Sequence, residues 1–383
     1  WLVKTPSIFN PYTDTRTESI NGRLTLEPFK SMRVELLATR IASENRSSFF
    51  RWNETEQRYV NDSPQQFGSF SVSTIDWATT FSRDDANSVN SVFETLLHNR
   101  SVISQRLGMA DPDRSAPTDS AYWSGYGGTS QDVVIPAFLA AYSGTNASKM
   151  KLNPFSLIPL PNWDITYDGL TKLNLFKKFF RTFTLKHSYR STMSIGSYQS
   201  NLLYQPGGSV LDAGGNFLPE KQISAVTISE VMHPLLSFDA TLQNSLLAKF
   251  EYNRDRNLGL GLTNLQVTEV RGKEYVIGTG YRFKNVKLPI QIGGKNPKSD
   301  VNLRVDLSWR ENNTVIRQIA QDQNQITAGQ QIISIKTSMD YVLDQRLNLR
   351  VFYERVINNP LISSSFPSAN TNFGISLRFT LTQ

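Results

Sequence analysis

The last twelve residues, Asn372 to Gln383, alternate without a break: Phe373, Ile375, Leu377, Phe379 and Leu381 point one way, and polar or small residues the other. Successive side chains of a strand project to opposite faces, so this pattern is a strand with one apolar and one wet side. The same text recurs upstream. Val301, Leu303, Val305, Leu307 and Trp309 oppose Asn302, Arg304, Asp306, Ser308 and Arg310. Ile333, Ile335, Thr337, Met339, Tyr341 and Leu343 oppose Ser334, Lys336, Ser338, Asp340 and Asp344. Leu347, Leu349, Val351 and Tyr353 oppose Arg346, Asn348, Arg350 and Glu354, with Phe352 out of step. Weaker alternation over residues 19–29, 32–44, 67–81, 163–171, 182–198, 222–243, 246–270 and 273–285 brings the count to about a dozen strands. Asn264 marks a bulge or a turn within 246–270.

Long strands that alternate apolar with charged residues fit a transmembrane antiparallel β-barrel, which spans a bilayer with about 9–11 tilted residues per crossing. A soluble β-sandwich is the alternative home, since its inward face is also apolar. The chain holds no run of about 18 apolar residues that could span as a helix. There is no cysteine, which leaves out disulfides and thiolate metal sites. The 40 basic and 33 acidic residues are scattered singly, so no block reads as a nucleic-acid surface. The opening Trp1-Leu2-Val3-Lys4-Thr5-Pro6 has neither Met nor a leader, which reads as a removed leader or as a piece of a longer chain.

Short connections at Pro28 to Ser31, Gln243 to Ser245 and Asp344-Gln345 alternate with long polar ones at 45–65, 199–221, 319–330 and 358–370. Bacterial barrels place short turns in the periplasm and long loops outside. Working back from a descending last strand, the alternation holds as far as residue 163. Residues 84–160 break it and divide the chain into strands over 1–83, a mainly helical insertion in the lumen or at the rim, and strands over 161–383. In the insertion Val89, Val92, Phe93, Leu96, Leu97, Ile103 and Leu107 recur at helical spacing after Asp84 and Asp85 and before Gly108. A small-residue helix follows at Val133 to Tyr142. Strands 67–81 and 163–171 both descend by this count, which requires the insertion to cross back through the lumen or to hide a strand; a plain surface loop is the alternative.

Nothing in the sequence favours catalysis. His98, His187 and His233 lack metal-ligand spacing, and no nucleophile elbow occurs. Gly125-Tyr126-Gly127-Gly128 and Gly207-Gly208 lack the lysine of a phosphate loop. A barrel hydrolase would need His187 to converge with Asp164 or Asp168. No cofactor is expected.

A resemblance adds to this reading. Pro161-Asn162-Trp163, Ile165 to Leu170, Phe179-Phe180 and Leu185-Lys186-His187-Ser188-Tyr189-Arg190-Ser191 are similar to the C-terminal region of the SprA/Sov family. Ser130-Gln131-Asp132, Ile135 to Tyr142, Glu274 to Gly278 and Gly280 to Phe283 extend the similarity. That family is the outer-membrane translocon of the type IX secretion system in Bacteroidetes. The resemblance implies the final portion of a giant single-chain barrel that exports folded proteins. Its implied partners are a PorV-like barrel at a lateral opening, a periplasmic plug protein and cargo with C-terminal targeting domains. The family brings no catalytic residues. The ending Thr380-Leu381-Thr382-Gln383 departs from the terminal aromatic common in barrel insertion signals.

On this reading the wet lumen wall carries Arg304, Asp306, Arg310, Lys336, Asp340, Arg346, Arg350, Glu354 and Arg378, whose mixed signs avoid trapping cargo of one charge. Pairing of these charges across strands is the alternative role. Leu303, Val305, Leu307, Trp309, Phe373, Ile375, Leu377 and Phe379 face outer-membrane lipid or a partner barrel. Trp163, Tyr167, Trp309, Tyr341, Tyr353, Phe373 and Phe379 contribute to aromatic girdles. A nutrient-uptake or ligand-binding barrel is the alternative function.

Overall fold

The computed structural model describes all residues except 1–2, 8–9, 86–87, 112–120, 206–209, 288–297, 322, 345–346, 363–364 and 380–383. The chain is all-β: thirteen strands lie in one antiparallel sheet. They are β1 (Tyr12–Leu26), β2 (Met32–Asn53), β3 (Arg58–Ser73), β4 (Asn162–Tyr167), β5 (Phe180–Ser200), β6 (Lys221–Ile223), β7 (Ala225–Leu242), β8 (Leu246–Gly261), β9 (Gln266–Lys287), β10 (Lys298–Gln318), β11 (Gln323–Asp344), β12 (Leu347–Pro360) and β13 (Ser368–Phe379). The sheet runs β1-β2-β3-β5-β7-β8-β9-β10-β11-β12-β13, and among the described residues β1 and β13 pair only inward. Four short helices, α1 (Trp77–Thr80), α2 (Ser91–Ala110), α3 (Gln131–Ser143) and α4 (Asn174–Phe179), lie between β3 and β5. None of the described helices is long and apolar enough to cross a membrane, which bears on helices alone.

The strands are longer than their sequence signal. The stretches 45–65 and 319–330, expected as long loops, continue as hairpin: β2 and β3 close around residues 54–57, and β10 runs to Gln318 while β11 resumes at Gln323. The apolar alternation fades in these extensions, and it was the only signal of a strand. Asn264 lies in a turn, so β8 stops at Gly261 and β9 runs unbroken from Gln266 through the break expected near 271. Phe352, the residue out of step, stands on the charged face directly opposite Gly374. A side chain at 374 would begin 2.6 Å from its ring, so the glycine leaves room for the aromatic to cross over its partner strand.

The crossing expected of the insertion is not needed. β3 pairs with β2 over Arg40–Asn53 and with β5 over Thr192–Gln199, while β4 pairs with β2 over Met32–Leu37 and with β5 over Leu185–Tyr189. The two therefore fill the upper and lower halves of one column and both descend. The chain leaves the wall at Ser73, halfway down, and re-enters at Asn162 just below. Side chains seal the break. Ser73 Oγ accepts from Thr39 N (3.0 Å) and donates to the Leu160 carbonyl (2.7 Å), and Asn162 Oδ1 accepts from Ser191 N (2.8 Å). These bonds stand in for ladder bonds that a continuous strand would make.

Within the excursion, Asn90 caps α2 by accepting from Val92 N (2.9 Å). Asp84 and Asp85 precede that cap and do not occupy the first helical turn. Gly108 lies inside the helix, where a Cβ would fall 2.2 Å from the Trp123 ring: it permits a close approach and does not stop the helix.

Candidate functional site: a two-faced wall and its pinned insertion

Directly opposed residues of an antiparallel pair share a face. The registers link Leu303 to Tyr281 and Met339, Leu307 to Ile277 and Ile335, and Trp309 to Tyr275 and Ile333. They continue to Tyr353–Phe373, Val351–Ile375, Leu349–Leu377 and Leu347–Phe379. All eight residues expected on the apolar side thus lie on one face. Upstream the same face carries Leu36, Trp163, Tyr189, Phe238, Phe250 and Tyr252. Stacked rings run across it, as in Phe183, Phe238 and Phe250, and in Tyr252, Tyr275 and Trp309, where successive centroids lie 4.6 and 5.7 Å apart.

The band has a height and a slope. On β10 it covers nine residues, Val301 to Trp309, about 26 Å along the strand at a rise of ~3.3 Å per step. From Trp309 the register leads through Ile333 and Ile357 to Ala369, yet the apolar run of β13 begins four residues lower, at Phe373. That drop of about 13 Å across three strand spacings of ~4.8 Å corresponds to a tilt of about 40°. Membrane barrels tilt their strands by ~35–45°. On β12 Arg355 interrupts the apolar register just above Tyr353.

The opposite face holds Arg304, Asp306, Arg310, Lys336, Asp340, Arg350, Glu354 and Arg378; Arg346 lies outside the described residues. Their signs are paired. Lys336 stands opposite Asp306 and Glu354 and bonds Glu354 at 2.9 Å; Asp340 stands opposite Arg350 at 3.4 Å; Arg304 bonds Asp306 at 2.8 Å. Arg310 reaches Asp255 at 4.0 Å and Arg378 faces Asn348. The partners are well exposed, so each pair contributes about 0–1 kcal/mol, and its larger effect is to intersperse both signs over the charged face.

The insertion packs on the apolar-register face, above the aromatic row. Val92, Phe93, Leu96 and Ile103 of α2 and Val133 to Tyr142 of α3 form one core with Phe70, Val72, Met193, Ile195, Val226, Ile228, Leu258, Leu260 and Val267 of the sheet. Trp77 of α1 closes on Trp163, His187 and Tyr189 at its lower border.

Two buried charged clusters pin it there, and the residue pattern carries little sign of them. Glu230 and Arg256 are opposed on β7 and β8, each at most 1% exposed, and ion-paired. Arg256 also donates to the Thr79 carbonyl and hydroxyl, both at 2.9 Å, while Thr80 donates to Glu230 at 2.5 Å. Asp76 accepts from Ser191 and Thr74, both at 2.6 Å; burial still holds its carboxyl above the usual aspartate range. Farther along, the fully buried Arg317 bonds Asp84 (2.7 Å), Glu269 (3.1 Å) and the Ser88 carbonyl (2.6 Å), and Arg271 bonds Asp84 at 3.1 Å. The only sequence trace is a charge in the apolar register, as with Arg256 two residues from Leu258.

The histidine geometry does not assemble a hydrolase triad with Asp164. His187 accepts from the Trp163 indole at 3.0 Å and its other ring nitrogen meets the Leu235 carbonyl, while Asp164 lies on the opposite face, paired with Arg190 at 2.9 Å. No family model and no curated protein matches this chain.

Proposed function

We propose that this sheet is a section of the wall of a large outer-membrane channel that exports folded proteins, as the resemblance to the SprA/Sov family implies. One observation carries the reading: a sheet eleven columns wide bears a tilted aromatic and aliphatic band on one face and interspersed charges of both signs on the other, with both outer edges unpaired among the described residues. An unpaired edge in lipid leaves amides that each cost several kcal/mol, so a bilayer setting requires neighbouring staves at β1 and β13. A wide lumen lined by paired charges moves cargo by hydration, without covalent chemistry and without holding one sign of charge.

The band then meets outer-membrane lipid or a PorV-like barrel. The end with short turns faces the periplasm and the plug protein, and cargo with C-terminal targeting domains passes along the charged face. On this reading the insertion, on the band's side and above it, lies against the outside of the wall at the extracellular rim. It is therefore a buttress and not a constriction of the lumen. Deleting residues 74–161, with Ser73 joined through a short linker to Asn162, in the full-length protein tests this. Single-channel conductance should stay within about twofold of the parent; a several-fold rise would put the insertion in the lumen. Loss of secretion with the E354K/D340K change, while assembly persists, supports cargo passage along the charged face; normal secretion with strongly cation-repelling conductance would oppose it.

A further inference from the structure

The β2–β3 hairpin carries an aromatic cluster that the wall does not explain. Phe50 stacks on Tyr59 with centroids 5.5 Å apart and planes 12° from parallel, and Trp52 meets Tyr59 edge-on at 5.1 Å. Phe50 lies fourteen residues beyond Leu36, the last band residue of β2, or about 46 Å farther along the strand. No membrane interface extends that far, so these rings are not part of a girdle.

Beside them is a cavity of about 800 Å³ on the apolar-register side of β1, β2 and β3. Its mouth has Tyr12 and Phe50, both exposed, and its wall has Ser47, Ser48, Asn61, Gln65, Gln66 and Ser200, with Asp14, Arg46 and Glu220. Tyr12 stands opposite Ser48, and Asp14 opposite Arg46, which also pairs with Glu44. The size suits a small molecule or a short oligomer. The lining decides its class. Three charges of mixed sign, one of them already paired, do not make a phosphate site, and burying Asp14, Arg46 and Glu220 against an acyl chain would strand their charges. Neutral donors and acceptors, two carboxylates that can each accept from a pair of hydroxyls, and exposed ring faces together match a polyhydroxylated ring.

We propose that this cavity binds a saccharide, its rings stacked on Tyr12 and Phe50 and its hydroxyls held by Asp14, Gln66 and Glu220. The site requires only the cavity and goes beyond the channel reading. The saccharide could be free or part of an outer-leaflet glycolipid.

Saturation-transfer NMR on the full-length protein in detergent tests it, with two probes: the oligosaccharide released by mild acid from the outer-membrane glycolipid, and the intact glycolipid. The parent should bind the released oligosaccharide, and Y12A/F50A should weaken it at least tenfold. Both side chains are exposed, so the fold should survive, as circular dichroism would check; E220Q should weaken binding without removing a ring. Equal binding of both probes identifies a free sugar as sufficient, and tighter binding of the glycolipid, still lost in Y12A/F50A, identifies the lipid-linked form. Binding of the glycolipid alone that survives Y12A/F50A, or no binding of either probe, overturns the proposal.

Discussion

Val305 is the midpoint of the β10 band, four residues from both Val301 and Trp309. It is flanked in register by Thr279 and Thr337, neither of which offers an anion. In the bilayer setting proposed above, with strands tilted about 40°, the nine-residue band would measure about 20 Å along the membrane normal, close to the ~25 Å apolar belt of membrane barrels. Val305→Arg therefore places a guanidinium near the midplane, about 10 Å from either interface, at an expected cost of about 2–4 kcal/mol. Leu307→Arg, about 5 Å nearer the upper aromatic row, can snorkel and should cost about 1–2 kcal/mol. Ser308→Arg points to the charged face and should cost under about 1 kcal/mol. The assay is the denaturant midpoint of the full-length protein in lipid vesicles, one substitution at a time. The order Val305, Leu307, Ser308 from most to least damaging is expected. Equal shifts at 305 and 308, or greater damage at 307 than at 305, would refute the depth argument.

Arg256→Met removes the partner of a buried Glu230 and should destabilise docking of the insertion by about 3–5 kcal/mol, whereas R256M/E230L, which removes both charges, should cost less; hydrogen exchange over residues 77–110 distinguishes them. Asp132, half-buried at the start of α3, has its carboxyl pushed up to about 6 by burial. A raised acid favours the folded state at low pH, so this contribution is complete below about pH 4 and is lost as pH rises through about 6. Allowing for solvent screening, it amounts to about 1–2 kcal/mol, and Asp132→Asn should flatten the change in α3 exchange protection between pH 4.5 and 7.5.

The strands of the band were legible because one residue in two was apolar, and the C-terminal registers follow that text closely. Where the strands rise beyond the band both faces become polar, as in residues 319–330, and period two no longer distinguishes strand from loop. The split column could not be read from pattern at all. Ser73 and Asn162 are ordinary residues that replace ladder bonds only because of where the chain departs. Glu230, Arg256, Glu269 and Arg317 broke the apolar register, and their meaning depends on Thr79, Thr80 and Asp84, which lie more than a hundred residues away from all four. The face assignment of the charged residues was readable from alternation, but their pairing needed the register.

On the proposed channel reading, the face bearing Leu303, Val305 and Leu307 meets lipid while Asn302, Arg304, Asp306 and Ser308 meet water. This stretch contains no cysteine, so single cysteines at 302 through 308 can be read against a silent background. Reaction with a membrane-impermeant maleimide in intact outer membranes should alternate, with the even positions labelled and 303, 305 and 307 protected until detergent is added. Uniform labelling along 302–308, or labelling of the odd positions in place of the even ones, would contradict it.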